Sequence, residues 1–453
     1  MSNFILKTLE TRELKLNTIR LRGFYGGKLR KGSGGGGSSD GFPQLPGDVT
    51  RWHFGGLTNE MMAAMDDPRI EDADHKGRFL SFKNFAWKEG SGISDVYPGA
   101  LVFDGVDDCG VCENFPILTK EKGYTVVVLR QWDQDFLNTT LTGGLLSTRN
   151  YSTGEGVAFE KIESSNKGYW NLGAGGIIDF AKSPFTWQTS KQYNNVGILK
   201  GDKNHGKPLC VGCGLSGGQQ CGRFAIWELV FLDHDATEEE LTKIKDYFVK
   251  TYPWLFPDQA WTVVGKTNED EDRATIANIT GNGNDLVCLN LGFIEGSGYN
   301  EEGEYAGYLV TDGVDDKITS STFEMGNDWT VIGDWELINT GKNDNAGIVK
   351  FDSIVIYNYN PILINIKNGR NNLIPDQNTV NAICSDGRIY SKDWKESIYN
   401  EETESTSKNL LTIGYSGNSY TKIAFKNLAI YPTVLSKEDC IKAYNYLQTL
   451  KAK

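Results

Sequence analysis

The segment Asp104-Gly105-Val106-Asp107-Asp108 recurs as Asp312-Gly313-Val314-Asp315-Asp316, and the sequence around it recurs too. Upstream, Trp52 and Thr58-Asn59-Glu60 answer Trp261 and Thr267-Asn268-Glu269, and Glu89-Gly90-Ser91-Gly92 answers Glu295-Gly296-Ser297-Gly298. Downstream, Tyr124-Thr125-Val126-Val127 answers Trp329-Thr330-Val331-Ile332. The offset drifts only from 209 at the tryptophans to 199 near the end. This is a duplicated domain of about 200 residues, too long a period for a solenoid or propeller. Each copy can be read against the other.

The 453 residues suffice for two large domains, each able to bury its own core without disulfides. Composition points to β structure. There are 52 glycines, and 11 Trp, 20 Tyr and 21 Phe sit in short apolar runs broken by Asn, Asp and Gly. Net charge is −13, unevenly spread: residues 1–31 hold eight Lys/Arg against two Glu, or +6, which leaves −19 for the rest. An acidic body lacks the basic face that nucleic-acid binding needs. No apolar run approaches a membrane span, so neither nucleic acid nor membrane is an expected partner. Phe4-Ile5-Leu6 is followed at once by Lys7, Glu10 and Arg12, which offers no signal-peptide core and implies synthesis in a cytoplasm.

Three segments follow. Residues 1–47 form a basic arm, alternating at Leu14, Leu16, Ile19 and Leu21, then a Gly/Ser linker over Gly32–Ser39. Both a disordered tail and an arm that pairs with another subunit fit it. The first copy spans 48–256 and the second 257–453. Pro253, Trp254, Phe256 and Pro257 between them read as a short, semi-rigid hinge. Each copy closes with a strand and a helix. Thr237 and Glu240 predict a capping box before Leu241, Ile244 and Phe248, and Ser436 and Asp439 precede Ile441, Tyr444 and Leu447.

A strand ending in Phe103-Asp104-Gly105-Val106-Asp107-Asp108, followed by an aromatic-Thr-Val strand, resembles the laminin-G-like domains of the concanavalin A-like lectin/glucanase superfamily. The closing Val434-Leu435-Ser436-Lys437-Glu438 is similar to that group's C-terminal segment. The resemblance implies an all-β chain: two tandem antiparallel jelly-roll sandwiches, each ending in one amphipathic helix, preceded by the extended arm. The Thr-Asn-Glu and Gly-Ser-Gly stretches also resemble virion proteins of tailed phages of gut bacteria, of the crAss-like type.

Glucanases of that superfamily carry Glu-x-Asp-x-x-Glu on one strand, so that same-facing carboxylates flank the scissile bond. No glutamate of this chain is followed two residues later by aspartate. The expectation is a protein without enzymatic activity. Asp104, Asp107, Asp108 and Asp312, Asp315, Asp316 are candidate Ca²⁺ ligands, although Asp-Gly followed by a capping Asp equally makes a structural turn. Cys109-x-x-Cys112 and Cys210-x-x-Cys213 could form a Cys₄ zinc site if their segments meet. With Cys221 nearby, free core thiols and disulfides stay open as alternatives. No cofactor is required beyond such a structural metal. Gly214-Leu215-Ser216-Gly217-Gly218 matches a nucleophile-elbow pattern but lies between strands and reads as a hairpin loop.

Trp170, Trp187 and Tyr193 in the first copy, with Trp394 and Tyr399 in the second, are candidate glycan platforms, and each also fits rim or core packing. A lectin-like duplicated sandwich with no export signal points to a virion component: a head fibre, capsid decoration or tail appendage. In that reading the arm binds other virion proteins, the chain is homo-oligomeric, and the sandwiches make weak multivalent glycan contacts. A virion subunit without sugar binding and a bacterial cell-surface lectin are the alternatives.

Overall fold

One long strand near the end of each copy organises everything around it. The computed structural model describes residues 41–116, 124–148, 158–162, 167–171, 176–179, 208–215, 219–338, 347–351, 354–357, 363–366, 370–373, 380–398, 409–416 and 419–452. The arm at residues 1–40 lies outside them. Leu45–Lys453 form one compact unit containing two all-β lobes.

The first lobe contains β1 (Val49–His53), β2 (Leu101–Asp104), β3 (Cys109–Cys112), β4 (Thr125–Trp132), β5 (Leu209–Val211), β6 (Cys213–Leu215), β7 (Gln219–Cys221), β8 (Arg223–Leu232) and helix α1 (Glu238–Thr251). β4 pairs antiparallel along one edge of β8. On the other edge β1 takes the second half of β8, with Val49 opposite Leu232, and β2 takes the first half, with Leu101 opposite Ile226. The second sheet runs Gly176–Asp179, Lys167–Asn171, Ala158–Ile162, Gly143–Ser147, β5, β3, Phe79–Lys83, Arg69–Glu71. Trp52, Phe103, Val128 and Phe224 of one sheet bury against Leu80, Leu146 and Val211 of the other.

The second lobe repeats this with β9 (Gln259–Thr262), β10 (Leu309–Val310), β11 (Lys317–Phe323), β12 (Thr330–Leu337), β13 (Val380–Cys384), β14 (Asn409–Ile413), β15 (Ile423–Tyr431) and helix α2 (Lys437–Leu447). β15 is flanked by β12 on one edge and by β9 and β10 on the other, and β13 extends the sheet beyond β12. The second sheet runs Thr275–Ile276, Leu286–Leu289, β11, β14, Gly347–Phe351, Ile354–Tyr357, Leu363–Ile366, Arg370–Leu373, the same topology as in the first lobe.

A bulge interrupts both central strands at the same place. Phe224 and Ile226 face the core, and so do Leu229 and Phe231, because the register slips between Ile226 and Glu228. In β15 the core residues are Ile423 and Phe425, then Leu428 and Ile430, with the slip at the equivalent position. One extra residue flips the alternation. It turns Trp227 outward, where its indole donates to Pro98 O at 2.9 Å.

The three repeated motifs interlock. Asn59 of the Thr-Asn-Glu motif accepts from Ile93 N and donates to Ile93 O, both at 2.8 Å, just past Gly92. Asn268 does the same to Tyr299, again at 2.8 Å in both bonds. Ser91 and Ser297 of the Gly-Ser-Gly motif donate to Asp108 at 3.0 Å and Asp316 at 2.7 Å. Those aspartates accept from Asp104 N at 3.0 Å and Asp312 N at 2.8 Å, closing each acidic turn. The repeat thus records one clasp of half-buried and buried hydrogen bonds, made twice.

Both helix caps form as the sequence predicts. Thr237 accepts from Glu240 N at 3.2 Å while Glu240 reaches back to Thr237 N at 2.7 Å, and Ser436 accepts from Asp439 N at 3.1 Å. The buried side of α2 differs from expectation. It consists of Cys440, Ala443, Tyr446 and Leu447, while Ile441 and Tyr444 are only half-buried. The reason is that α2 packs on both lobes. Tyr446 donates to Gln131 of β4 at 3.0 Å and meets the outward Trp227 edge-on at 6.0 Å. Pro253–Leu255 is a 3₁₀ turn with Trp254 and Leu255 buried, and Tyr431 donates to Trp254 O at 3.0 Å. The expected hinge is a packed corner.

The start of α1 carries a pH-dependent pair. His234 Nε2 lies 3.0 Å from Glu240 Oε1 and His234 Nδ1 lies 3.3 Å from Asp233 Oδ1. Burial opposes the imidazolium, but hydrogen bonds to Glu240 and Asp233 outweigh it and raise the His234 pKa. Burial likewise opposes the Glu240 carboxylate, yet the Thr237 amide and His234 hold its pKa below the ordinary value. A raised histidine contributes stability below its unfolded pKa of about 6.5 and loses it at higher pH; a lowered glutamate contributes above about 4.3 and loses it at lower pH. His234→Gln should therefore lower Tm most near pH ~5.5 and least above pH ~8, by an amount corresponding to about 0.5–1 kcal/mol. A Tm difference independent of pH would exclude this account.

Candidate functional site

Each acidic turn brings three carboxylates together. One oxygen from each of Asp104, Asp107 and Asp108 lies within 4.8 Å of the others, as for Asp312, Asp315 and Asp316. Their lone pairs, however, serve the turn. Asp104 Oδ1 accepts from Val106 N at 2.7 Å, and both oxygens of Asp108 accept, from Asp104 N and Ser91 Oγ, each at 3.0 Å. Burial pushes the Asp108 carboxyl up to about 7. This donor set suits backbone amides better than the six to eight oxygens of Ca²⁺. Adding calcium should leave the Tm unchanged; a rise of several degrees would reinstate the metal.

The two Cys-x-x-Cys segments do meet, since β3 pairs with β5. They do not bring the four expected cysteines together. Positions 109 and 112 lie three apart on a strand, so they face opposite ways. Cys112 enters the main core, where burial pushes its thiol up to about 12. Cys221 takes its place, grouped with Cys109, Cys210 and Cys213, and Cys213 is joined to Cys221 by a disulfide. A zinc site made of Cys109, Cys112, Cys210 and Cys213 does not fit this arrangement. The Gly-x-Ser-x-Gly stretch begins on β6 and runs up to β7, and the two strands pair antiparallel with Leu215 opposite Gln219, as a hairpin requires.

Of the aromatic candidates, Trp187, Tyr193 and Tyr399 lie outside the described residues, and Trp170 lies on the strand Lys167–Asn171. Trp394 is half-buried and falls in a cluster that sequence reasoning only grazed. Trp335 and Leu337 of β12 enter the core, which turns Asp334 and Glu336 outward. Tyr308 donates to Asp334 at 3.1 Å, and the Tyr444 hydroxyl also bonds Asp334. The Tyr305 and Tyr308 rings meet edge-on at 6.4 Å, and Trp394 meets Tyr444 at 5.7 Å and Tyr390 at 6.2 Å. Lys426 lies 5.5 Å above the Tyr308 ring, and Lys392 pairs with Glu336. Burial and then the neighbouring Asp334 raise the Tyr308 and Tyr444 pKa values, so both phenols stay neutral donors.

The result is a patch of half-buried rings around two carboxylates and two ammonium groups. Rings offer flat apolar faces, and the charged groups offer donors and acceptors at their edges. Tyr305 was legible in part: it answers Tyr97 of the first copy. Tyr444 was assigned to the core face of its helix, and only the position of α2 across both lobes turns it to the rim.

In the first lobe the corresponding outer face is closed by α1 over a buried polar network. Glu228 accepts from Tyr252 at 2.9 Å and Tyr247 at 3.1 Å, and its Oε1 lies 2.7 Å from His53 Nδ1. Arg51 lies 3.4 Å from Glu228 Oε2, with both side chains fully buried. The second lobe has Ala260, Thr262 and Asn427 at the places of Arg51, His53 and Glu228.

No family model and no curated protein matches the chain. Among solved structures, Trypanosoma rangeli sialidase aligns at 9% identity over 84% of this chain and 68% of its own, with a TM-score of 0.32. The botulinum neurotoxin serotype D binding domain aligns at 10% identity over 80% and 94%, with a TM-score of 0.30. The botulinum neurotoxin type G receptor binding domain aligns at 12% identity over 42% and 50%, with a TM-score of 0.26. Overlaps this loose carry no argument about activity; the architecture rests on the strands, registers and cores above.

Proposed function

We propose that this protein is a non-enzymatic virion structural component, a head fibre, capsid decoration or tail appendage, that displays two laminin-G-like sandwiches for weak multivalent adhesion to glycans. The observation that carries the glycan reading is the patch of Tyr305, Tyr308, Trp394 and Tyr444 around Asp334 and Glu336. Sugar rings pack their C–H faces on aromatic side chains while carboxylates and ammonium groups bond the hydroxyls. A patch of half-buried rings of this kind gives weak single contacts, which matter when many copies are displayed together. The +6 charge of residues 1–31 and the Gly/Ser run after it suit a tether to other virion subunits, with the acidic remainder projecting. No cofactor is needed.

The test has two arms. Full-length protein on a glycan array and on whole cells should bind, and Trp394→Ala with Asp334→Asn should lose at least tenfold in apparent affinity with the fold intact. Equal binding by the variant would remove the glycan site and leave a purely structural subunit. Deleting residues 1–38 should abolish incorporation into particles, read by mass spectrometry of purified virions. Unchanged incorporation would refute the tether, and absence of the full-length chain from virions would favour the cell-surface lectin.

A further inference from the structure

The four cysteines left beside β3 form a small cluster of their own, separate from the main core, together with Val111. Its geometry resolves into two pairs. In the antiparallel pairing of β3 with β5, Cys210 lies opposite Val111 and Val211 opposite Gly110. Cys210 therefore shares a face with Cys109, one step along the diagonal, and the two thiols are in hydrogen-bond contact. Gly212 then turns the chain with φ +94°, where a Cβ would stand 2.3 Å from the Phe103 ring. That turn returns Cys213 to the same face as Cys210. Cys213 sits directly opposite Cys221 in the β6–β7 hairpin and is bonded to it. All four residues are at most 5% exposed.

We propose that Cys109 and Cys210 form a second disulfide, so that β3, β5, β6 and β7 are held by two adjacent covalent bridges, with a small-molecule disulfide of the oxidised-glutathione class as oxidant. The Cys210 thiol donates to the Cys109 sulfur, which favours the thiolate on Cys109 and disfavours it on Cys210. Cys109 thus attacks the external disulfide, forming a mixed disulfide and releasing one thiol. Cys210 then loses its proton and attacks the Cys109 sulfur, expelling the second thiol. The protein gives up two electrons and two protons, and the oxidant accepts both. Because the sulfurs are buried, the exchange takes place by local opening of this cluster once the chain has reached the oxidant.

The proposal is independent of glycan binding. It implies a chain that reaches an oxidising exterior, since a reducing cytoplasm keeps such pairs open. The four sulfurs could otherwise be zinc thiolates, and the existing Cys213–Cys221 bond argues for pairing over metal.

The test is refolding of the full chain with oxidised and reduced glutathione, alkylation in denaturant, and peptide mapping by mass spectrometry. The expected result is a Cys109–Cys210 linked peptide beside a Cys213–Cys221 linked peptide, with Cys112 alkylated. Cys112→Ser should keep both bridges. Cys109→Ser with Cys210→Ser should lower Tm in oxidising buffer and leave it unchanged under reduction. Recovery of Cys109 and Cys210 as alkylated residues while Cys213–Cys221 is linked would overturn the proposal. So would one zinc per chain that is released when Cys109 and Cys210 are alkylated.

Discussion

Replacing Glu228 by glutamine should destabilise the protein by about 3–5 kcal/mol, measured by urea unfolding. Glu228 and Arg51 are both fully buried, and the substitution leaves a guanidinium in the interior without its carboxylate. Oε1 of Glu228 is also the shared acceptor of Tyr252 and Tyr247 and the partner of His53, so three further polar groups lose an ionised partner. Charge-assisted hydrogen bonds are about twice as strong as neutral ones, and an amide recovers only part of them. The second lobe indicates that the network is not needed for the fold. It builds the same strand pairing with Asn427 opposite Thr262 and with Ala260 in place of arginine. Exchanging Arg51→Met together with Glu228→Leu should accordingly cost less than Glu228→Gln alone. A loss below ~1 kcal/mol for the single variant would mean that water or a rearranged Arg51 already screens the charge.

How far the sequence went follows from which interactions are local. The duplication, the two sandwiches and both helix caps were legible, because alternation, turn residues and Ser/Thr caps act over a few positions. The hydrogen bonding inside the acidic turns was legible as well, since Asp-Gly followed by aspartate closes on its own amides. The bulge at Ile226–Glu228 was not: Phe224–Phe231 reads as one alternating strand, and a single slipped register leaves no residue signature. That slip decides what faces outward, including Trp227 and Glu228. The zinc reading failed on the same kind of geometry, because Cys-x-x-Cys suits a loop knuckle, whereas on a strand it splits its ligands between two faces. The patch around Asp334 draws on a loop, a central strand, a turn and a helix, so no single window of sequence contained it.

The second large effect concerns the clasp that the repeated motifs build. Gly298→Ala should destabilise the protein by about 2–6 kcal/mol, from backbone strain and overpacking together. Gly298 has φ +157°, and a Cβ there would stand 2.5 Å from Asn268 Oδ1, 2.7 Å from Phe293 Cα and 2.8 Å from Ile294 N. Two of those three atoms are backbone and cannot step aside. The third belongs to the side chain that bonds Tyr299, so displacing it also breaks the clasp. Gly296→Ala is the matched control. Gly296 sits two residues away with φ +85° and nothing within 4 Å of its Cβ, so only the left-handed penalty of about 1–2 kcal/mol applies. The first copy offers an internal replicate: Gly92 has φ +148°, with Asn59 Oδ1 at 2.3 Å from its Cβ, while Gly90 is open. If Gly298→Ala and Gly296→Ala cost the same, the close approach is not what holds Gly-Ser-Gly in both copies, and conformational freedom alone accounts for it. If the inner glycine costs more in both lobes, the repeated motifs are explained as one contact: the Asn of the first can reach the backbone after the second only where no side chain intervenes.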